Sequence, residues 1–167
     1  MAGKAAPTYD ALVARMKTLQ PKLKRKKITV AVAESCTGGL LGVVLTANDG
    51  ASDVFLGGGI VYSDEAKTIL ADVAPQLIAS HGAVSSVVAG ALARGARARL
   101  GAKVGLGITG IAGPRGATPG KPVGLTYVAI DSVAKSAVKK YEWPFDRTGN
   151  RLASVSAALD LLEELVG

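Results

Sequence analysis

The chain is poor in aromatic residues, with one tryptophan, four tyrosines and two phenylalanines among 167 residues. Little is therefore available to stack on nucleic-acid bases. There is one cysteine, Cys36, which excludes an intrachain disulfide and fits a reducing compartment. There is one histidine, His81, and neither a Cys/His cluster nor a paired acidic motif, so no metal is expected. No apolar run reaches the roughly 20 residues of a membrane span. The segment Met1–Pro7 lacks the apolar core of a signal peptide. A cytoplasmic protein away from membranes is the expectation.

Hydrophobic residues make up 49% of the chain, so the core must be built from Ala, Val, Leu and Ile. The 21 glycines imply tight turns or close backbone approaches. The length suits one domain over residues 1–167, with residues 1–8 expected to be flexible. The formal net charge is +7. Its lysines and arginines fall in blocks, Lys22–Lys27, Arg94/Arg97/Arg99 and Lys139–Lys140, which read as solvated faces. With so few aromatics, nucleic acid is not the expected partner, and a phosphate-bearing small ligand suits the charge better.

Apolar residues at helical spacing predict a helix over 9–20, stopped by Pro21. A short β-branched run predicts a buried strand over 28–34. A helix over 37–47 follows, with Thr37 as its cap, then a turn at Asn48–Gly50. Residues 54–61 predict a strand whose three glycines imply a bulge or close packing. Helices are expected over 64–70, 75–80 and 85–100, a buried strand over 103–109, and a Gly/Pro loop over 110–122. Strands over 123–131 and 137–143 form a hairpin about Ser132–Lys135, and a last helix runs from Asp146 to about Val166. Together these predict an α/β fold: a layered α/β/α sandwich with a mixed, mainly parallel sheet plus an antiparallel hairpin. In such sheets sites form beyond the carboxyl ends of strands, where Glu34-Ser35, Val61-Tyr62 and Thr109-Gly110 fall.

At the first of these ends a hydroxyl and a thiol, Ser35 and Cys36, sit where a strand turns into a helix. Ser35, Cys36 and Thr37 serve equally well as simple caps. Functionally, Ser35 could attack a carbonyl while backbone N–H groups of Cys36, Thr37, Gly38 and Gly39 stabilise an oxyanion. A serine nucleophile needs a base. His81, at a helix end, suits that role poorly. Lys67, in Tyr62-Ser-Asp-Glu-Ala-Lys67, is either a surface lysine paired with Asp64 or a base whose pKa is lowered by burial. In the second case Tyr62 could relay a proton, and Asp64 and Glu65 should face solvent.

The loop Gly107–Gly116 offers an anion-binding concavity from Thr109, Gly110, Gly113 and Arg115. Arg147 and Arg151, at the start of the last helix, either reach a phosphate or lie exposed. Three other motifs fail on context. The G-x-G-x-x-G at Gly105, Gly107 and Gly110 lies within a strand and leads into a loop, unlike a dinucleotide site. Gly120-Lys121 lacks the upstream glycines of a phosphate loop. Ser132-Val-Ala-Lys135 is a hairpin turn.

Taken in order, Ala33–Leu41 (AESCTGGLL), Phe55-Leu-Gly-Gly, Tyr62-Ser with Glu65-Ala-Lys67, His81–Ser85 (HGAVS), Thr109–Pro114 (TGIAGP) and Lys121-Pro-Val-Gly124 resemble the C-terminal domain of the competence/damage-inducible CinA family. The likeness runs over about residues 10–166. Stand-alone members of that family are nicotinamide mononucleotide deamidases, and full-length ones carry a further molybdopterin-binding-like domain. The resemblance implies hydrolysis of the carboxamide of nicotinamide mononucleotide, with Ser35 as nucleophile assisted by Lys67 and Tyr62, Thr109 as a site residue, and no cofactor. Val61 stands where many relatives carry serine, and Arg115 where glycine is usual. The partners expected are a small pyridine nucleotide and further copies of the chain, as a dimer or larger. A catalytically silent nucleotide-binding or regulatory module built from the same loops is the alternative.

Overall fold

A computed structural model describes residues 5–167. Helix α1 (Tyr9–Arg25) begins where the Ala11 amide donates to the Thr8 hydroxyl, and it buries Leu12, Met16, Leu19 and Leu23 along one face. Pro21 lies inside this helix and does not end it. An interior proline costs about 3 kcal/mol. Burying Leu23, two residues further on, returns roughly 1.5–3 kcal/mol. Tertiary burial thus carries the helix past the expected stop.

Five strands form one sheet: β1 (Val30–Glu34), β2 (Phe55–Ile60), β3 (Val104–Gly110), β4 (Leu125–Ser132) and β5 (Ser136–Glu142), in the order β2-β1-β3-β4-β5. Strand β1 pairs in parallel with β2 and β3. Strand β4 pairs antiparallel with β3 and β5, so it alone runs against the others. The register of β2 slips between Phe55 and Gly57, opposite Val30 and Ala31. A Cβ on Gly58 would overlap the Val32 carbonyl. Both the bulge and the close packing expected of the three glycines are thus present.

Alternation along the strands divides the core. Val30, Val32, Val104, Leu106, Ile108, Val128 and Ile130 face α1, α2 (Leu40–Leu45) and α6 (Arg147–Val166). Ala31 and Ala33 face the layer of α3 (Asp64–Ala71), α4 (Pro75–His81) and α5 (Ser86–Leu100). This second side is built from small residues. Cβ atoms on Gly105 and Gly107 would overlap the carbonyls of Ala93 and Ala89, so α5 lies almost backbone to backbone on the sheet. The result is the expected α/β/α sandwich. No helix among the described residues is long and apolar enough to cross a membrane.

Of the segment expected to be flexible, residues 1–4 lie outside the described residues. Thr8 caps α1, and Ala6 lies against Gly149 at the start of α6. The carboxyl ends of β1, β2 and β3 open on one edge of the sheet, with α6 beginning beside them.

Candidate active site

A cavity of about 250 Å³ lies at that edge, lined by Ser35, Cys36, Tyr62, Asp64, Lys67, Ala83, Val84, residues 109–113, Arg115, Gly116 and Arg147. Its walls therefore come from the ends of all three parallel strands, the α4–α5 connection and the first residue of α6. A larger, mainly apolar cavity of about 450 Å³ between α3 and α4 shares Asp64. It has no nucleophile paired with a base and no cationic side chain, so the reactive groups mark the smaller one.

Ser35 follows β1 directly. Its amide donates to the Ile108 carbonyl (3.0 Å) and its own carbonyl accepts from the Gly38 amide (3.0 Å), closing a tight turn. The side chain is 8% exposed. Lys67, on α3, is 2% exposed, one of the largest fully buried side chains. Its Nζ donates to the carbonyls of Tyr62 (3.1 Å) and Ser63 (3.4 Å). The two carbonyls hold the Lys67 amine in place at the cavity wall. Desolvation lowers the Lys67 pKa below its ordinary value of 10.5, against smaller upward pulls from Asp64 and Cys36. Asp64 and Glu65 are both exposed, as expected, yet Asp64 also forms part of the cavity rim.

Cys36 is a different kind of group. Burial pushes its thiol up to about 12, with the Glu34 carboxylate adding, against downward pulls first from its own backbone amide and then from Arg151 and Arg147. It is a thiol at neutral pH and hence a poor nucleophile.

Tyr62 is 60% exposed, and its hydroxyl oxygen accepts a hydrogen bond from Arg147 Nη2 (3.2 Å). Arg147 Nη1 donates to the Gly113 carbonyl (2.8 Å). Asn150, one turn along α6, donates to the Ala112 carbonyl (3.0 Å), so α6 fixes the 110–113 loop at two points. Thr109 is buried, and its hydroxyl donates to the Ala83 carbonyl (2.8 Å), tying the α4–α5 connection to the end of β3. Arg115 is exposed on the rim.

Four expected site residues lie elsewhere. Thr37 is fully buried off the cavity and is not the helix cap. Gly39 takes that position, in the left-handed region at φ 100°, which favours glycine. The amides of Gly38 and Gly39 are already engaged, by the Ser35 carbonyl and by Glu34 Oε2 (3.1 Å), so neither is free for an oxyanion. The amides of Cys36 and Thr37 have no hydrogen-bond partner among the described residues. Arg151 does not reach the cavity. Its Nη2 donates to the Thr37 carbonyl (2.9 Å), and its Nε is buried without a partner. His81 is also absent from the lining, so no Ser-His-Asp triad forms. Among the described residues no three His, Cys, Asp or Glu side chains gather as a metal-ligand set.

Sequence reasoning passed over Glu34 and the Ala83–Val84 wall. Glu34 had a signal: an acidic residue closing a wholly buried strand must find partners inside the fold.

Fold and cavity together define a class: a three-layer α/β protein with a serine, a buried lysine and a tyrosine facing one cleft at the ends of parallel strands. Residues 13–166 match the model of the CinA C-terminal domain, and the chain belongs to that family. A CinA-like protein of Acidobacterium capsulatum is 49% identical over 140 residues, covering 84% of this chain and 34% of that protein. A putative competence-damage inducible protein of Moorella thermoacetica is 47% identical over 140 residues, again 84% of this chain and 34% of the relative. The chain thus spans about one third of the length of these relatives. Among solved structures, the competence/damage inducible protein CihA of Agrobacterium tumefaciens superposes with a TM-score of 0.90 at 32% identity, covering 97% of this chain and 98% of that one. A CinA superfamily protein of Escherichia coli gives 0.87 at 30% identity, with 95% and 90% covered.

Proposed function

We propose that the chain is a serine amidohydrolase that deamidates nicotinamide mononucleotide to nicotinic acid mononucleotide and ammonia. The observation that carries this reading is the meeting of Ser35 and a buried, pKa-lowered Lys67 in one cavity whose rim holds Tyr62 and two arginines.

In the proposed reaction neutral Lys67 takes the Ser35 proton as Oγ attacks the carboxamide carbon. The unpaired amide of Cys36, which lines the cavity beside Ser35, serves the oxyanion. Because a guanidinium only donates, the Tyr62 oxygen is the acceptor in its bond with Arg147, and the Tyr62 proton is free to point into the cavity. Tyr62 gives that proton to the departing nitrogen as the C–N bond breaks, and the Lys67 ammonium restores it. Lys67 then takes a proton from water. The hydroxide attacks the acyl-serine, and Ser35 leaves with that proton. The sum is amide plus water to acid plus ammonia.

The phosphate is assigned to Arg115 and Arg147, on the cavity rim. Arg147 has five N–H donors, of which two are engaged. At about 250 Å³ the cavity is just below the usual range of ligand pockets, roughly 300–1,000 Å³, and this favours a mononucleotide over a dinucleotide.

Ammonia release from nicotinamide mononucleotide, followed for the wild type and Ser35→Ala, tests the proposal. Release by the wild type and near-total loss in a folded Ser35→Ala is expected. No release by the wild type would leave a silent nucleotide-binding module.

A further inference from the structure

Glu34 precedes the proposed nucleophile, is 1% exposed, and does not line the cavity. Its Oε2 accepts from the Thr37 hydroxyl (2.6 Å) and the amides of Gly39 (3.1 Å) and Leu41 (3.0 Å). Its Oε1 accepts from the Gly42 amide (2.8 Å). A carboxylate accepts about four hydrogen bonds, so this one is saturated from within the chain. All four donors belong to the Ser35 turn or to the helix entered from it.

We infer that Glu34 is a positioning residue for Ser35, cross-tying the turn so that the hydroxyl is held where it can attack, without touching substrate. The inference rests on the serine reading above. The turn needs such a tie. Gly38 and Gly39 both have positive φ, at 58° and 100°, and a pair of glycines gives the chain many other conformations once unconstrained. A nucleophile misplaced by about 1 Å loses on the order of 100-fold in rate. With the carboxylate engaging the amides of Gly39, Leu41 and Gly42, those of Cys36 and Thr37 are left in the turn without a hydrogen-bond partner among the described residues. Substrate anions are thereby kept from the start of α2.

Glu34→Gln preserves shape but turns an NH₂ toward backbone donors. Thr37→Val removes one of the four bonds at constant size. Three readouts are needed: circular dichroism for folding, kcat and KM for ammonia release, and labelling of Ser35 by an aryl sulfonyl fluoride, read by intact mass. The last does not depend on the substrate assignment. A folded Glu34→Gln should lose on the order of 100-fold in kcat and label slowly, with KM within about threefold, while Thr37→Val loses about three- to tenfold in kcat alone. The pH at which kcat rises should not move, since Lys67 is untouched. A folded Glu34→Gln with kcat and labelling within threefold of wild type would overturn the inference. If Glu34→Gln does not fold, unchanged kcat and labelling in Thr37→Val overturn it instead. Undiminished ammonia release by Ser35→Ala would overturn the serine reading, and this inference with it.

Discussion

Arg147 Nη2 donates to the Tyr62 hydroxyl across 3.2 Å, joining residues 85 positions apart in the chain. The contact sets which way the phenol can donate. Tyr62→Phe should lower kcat by about 10- to 100-fold, as loss of a general acid does. Its melting temperature should stay within a degree or two, because the ring is largely exposed. Arg147→Met should lose both the clamp on Tyr62 and phosphate binding. In a double-mutant cycle on kcat/KM, the Tyr62→Phe/Arg147→Met pair should fall short of the sum of the single effects. Full additivity would show that the two residues act separately.

Lys67 carries an expectation about stability as well as rate. Its folded pKa lies below the value of 10.5 that it has when unfolded. Between the two, the unfolded chain binds a proton that the folded chain does not, so stability rises with pH across that interval. Lys67→Met removes the group and its desolvation cost. At neutral pH the variant should melt higher than the wild type, and the advantage should shrink as pH climbs toward 10.5. Activity should move the opposite way, with kcat falling at least 100-fold and KM changing little. A variant with intact kcat and a raised KM would make Lys67 a phosphate ligand.

Cys36 should behave as packing. With its thiol held up to about 12, native protein at pH 8 should react with iodoacetamide far more slowly than protein in denaturant. Cys36→Ala should retain turnover within about threefold. Here the linkage has the opposite sign. From pH 9 to about 12 the folded chain keeps a proton that the unfolded chain releases, so this group's contribution to stability is lost as pH rises through that window. Loss of turnover in a folded Cys36→Ala would hand the nucleophile's role to the thiol.

The backbone-to-backbone contact of α5 with the sheet leaves no room for a methyl group. Gly107→Ala would drive its Cβ into the Ala89 carbonyl, which a side-chain rotation cannot relieve. We expect a loss of about 3 kcal/mol and a fall of about 10 °C in melting temperature. Gly101→Ala is the control for simple loss of glycine: it meets no neighbour within 4 Å, but it strains a residue at φ 62°. Its loss should be the smaller of the two, about 1–2 kcal/mol, as thermal unfolding would show.

The strand ends were legible because apolar runs here stop abruptly at polar motifs, and parallel strands bring Ser35, Tyr62 and Thr109 to one edge. The hairpin about Ser132–Lys135 was legible from its turn chemistry. Helix α2 was not. A helix was expected from residue 37, but the structure begins it at Leu40, because the Glu34 carboxylate draws Thr37 and Gly39 into a turn that no local propensity encodes. Pro21 misled for a related reason, since the burial of Leu23 is decided by α6 and the sheet rather than by neighbours in sequence. Arg147 and Arg151 are equivalent at the level of sequence. One helical turn separates them, yet one faces the cavity and the other the back of the Ser35 turn.

That last helix has a consequence for how the cavity comes into being. Arg147, Asn150 and Arg151 reach back to Tyr62 and Gly113, to Ala112, and to Thr37, respectively. During synthesis, Ser35, Tyr62, Lys67 and the 110–116 loop all leave the ribosome before any of these ties exists. A nascent chain extended only through β5 can already pair β1 with β2 and β3 and bond Ser35 to Ile108, but it has nothing to hold the Tyr62 hydroxyl, the 112–113 carbonyls and the Thr37 carbonyl. The docking of α6 is thus what closes the rim of the cleft, on walls that the sheet has already brought together.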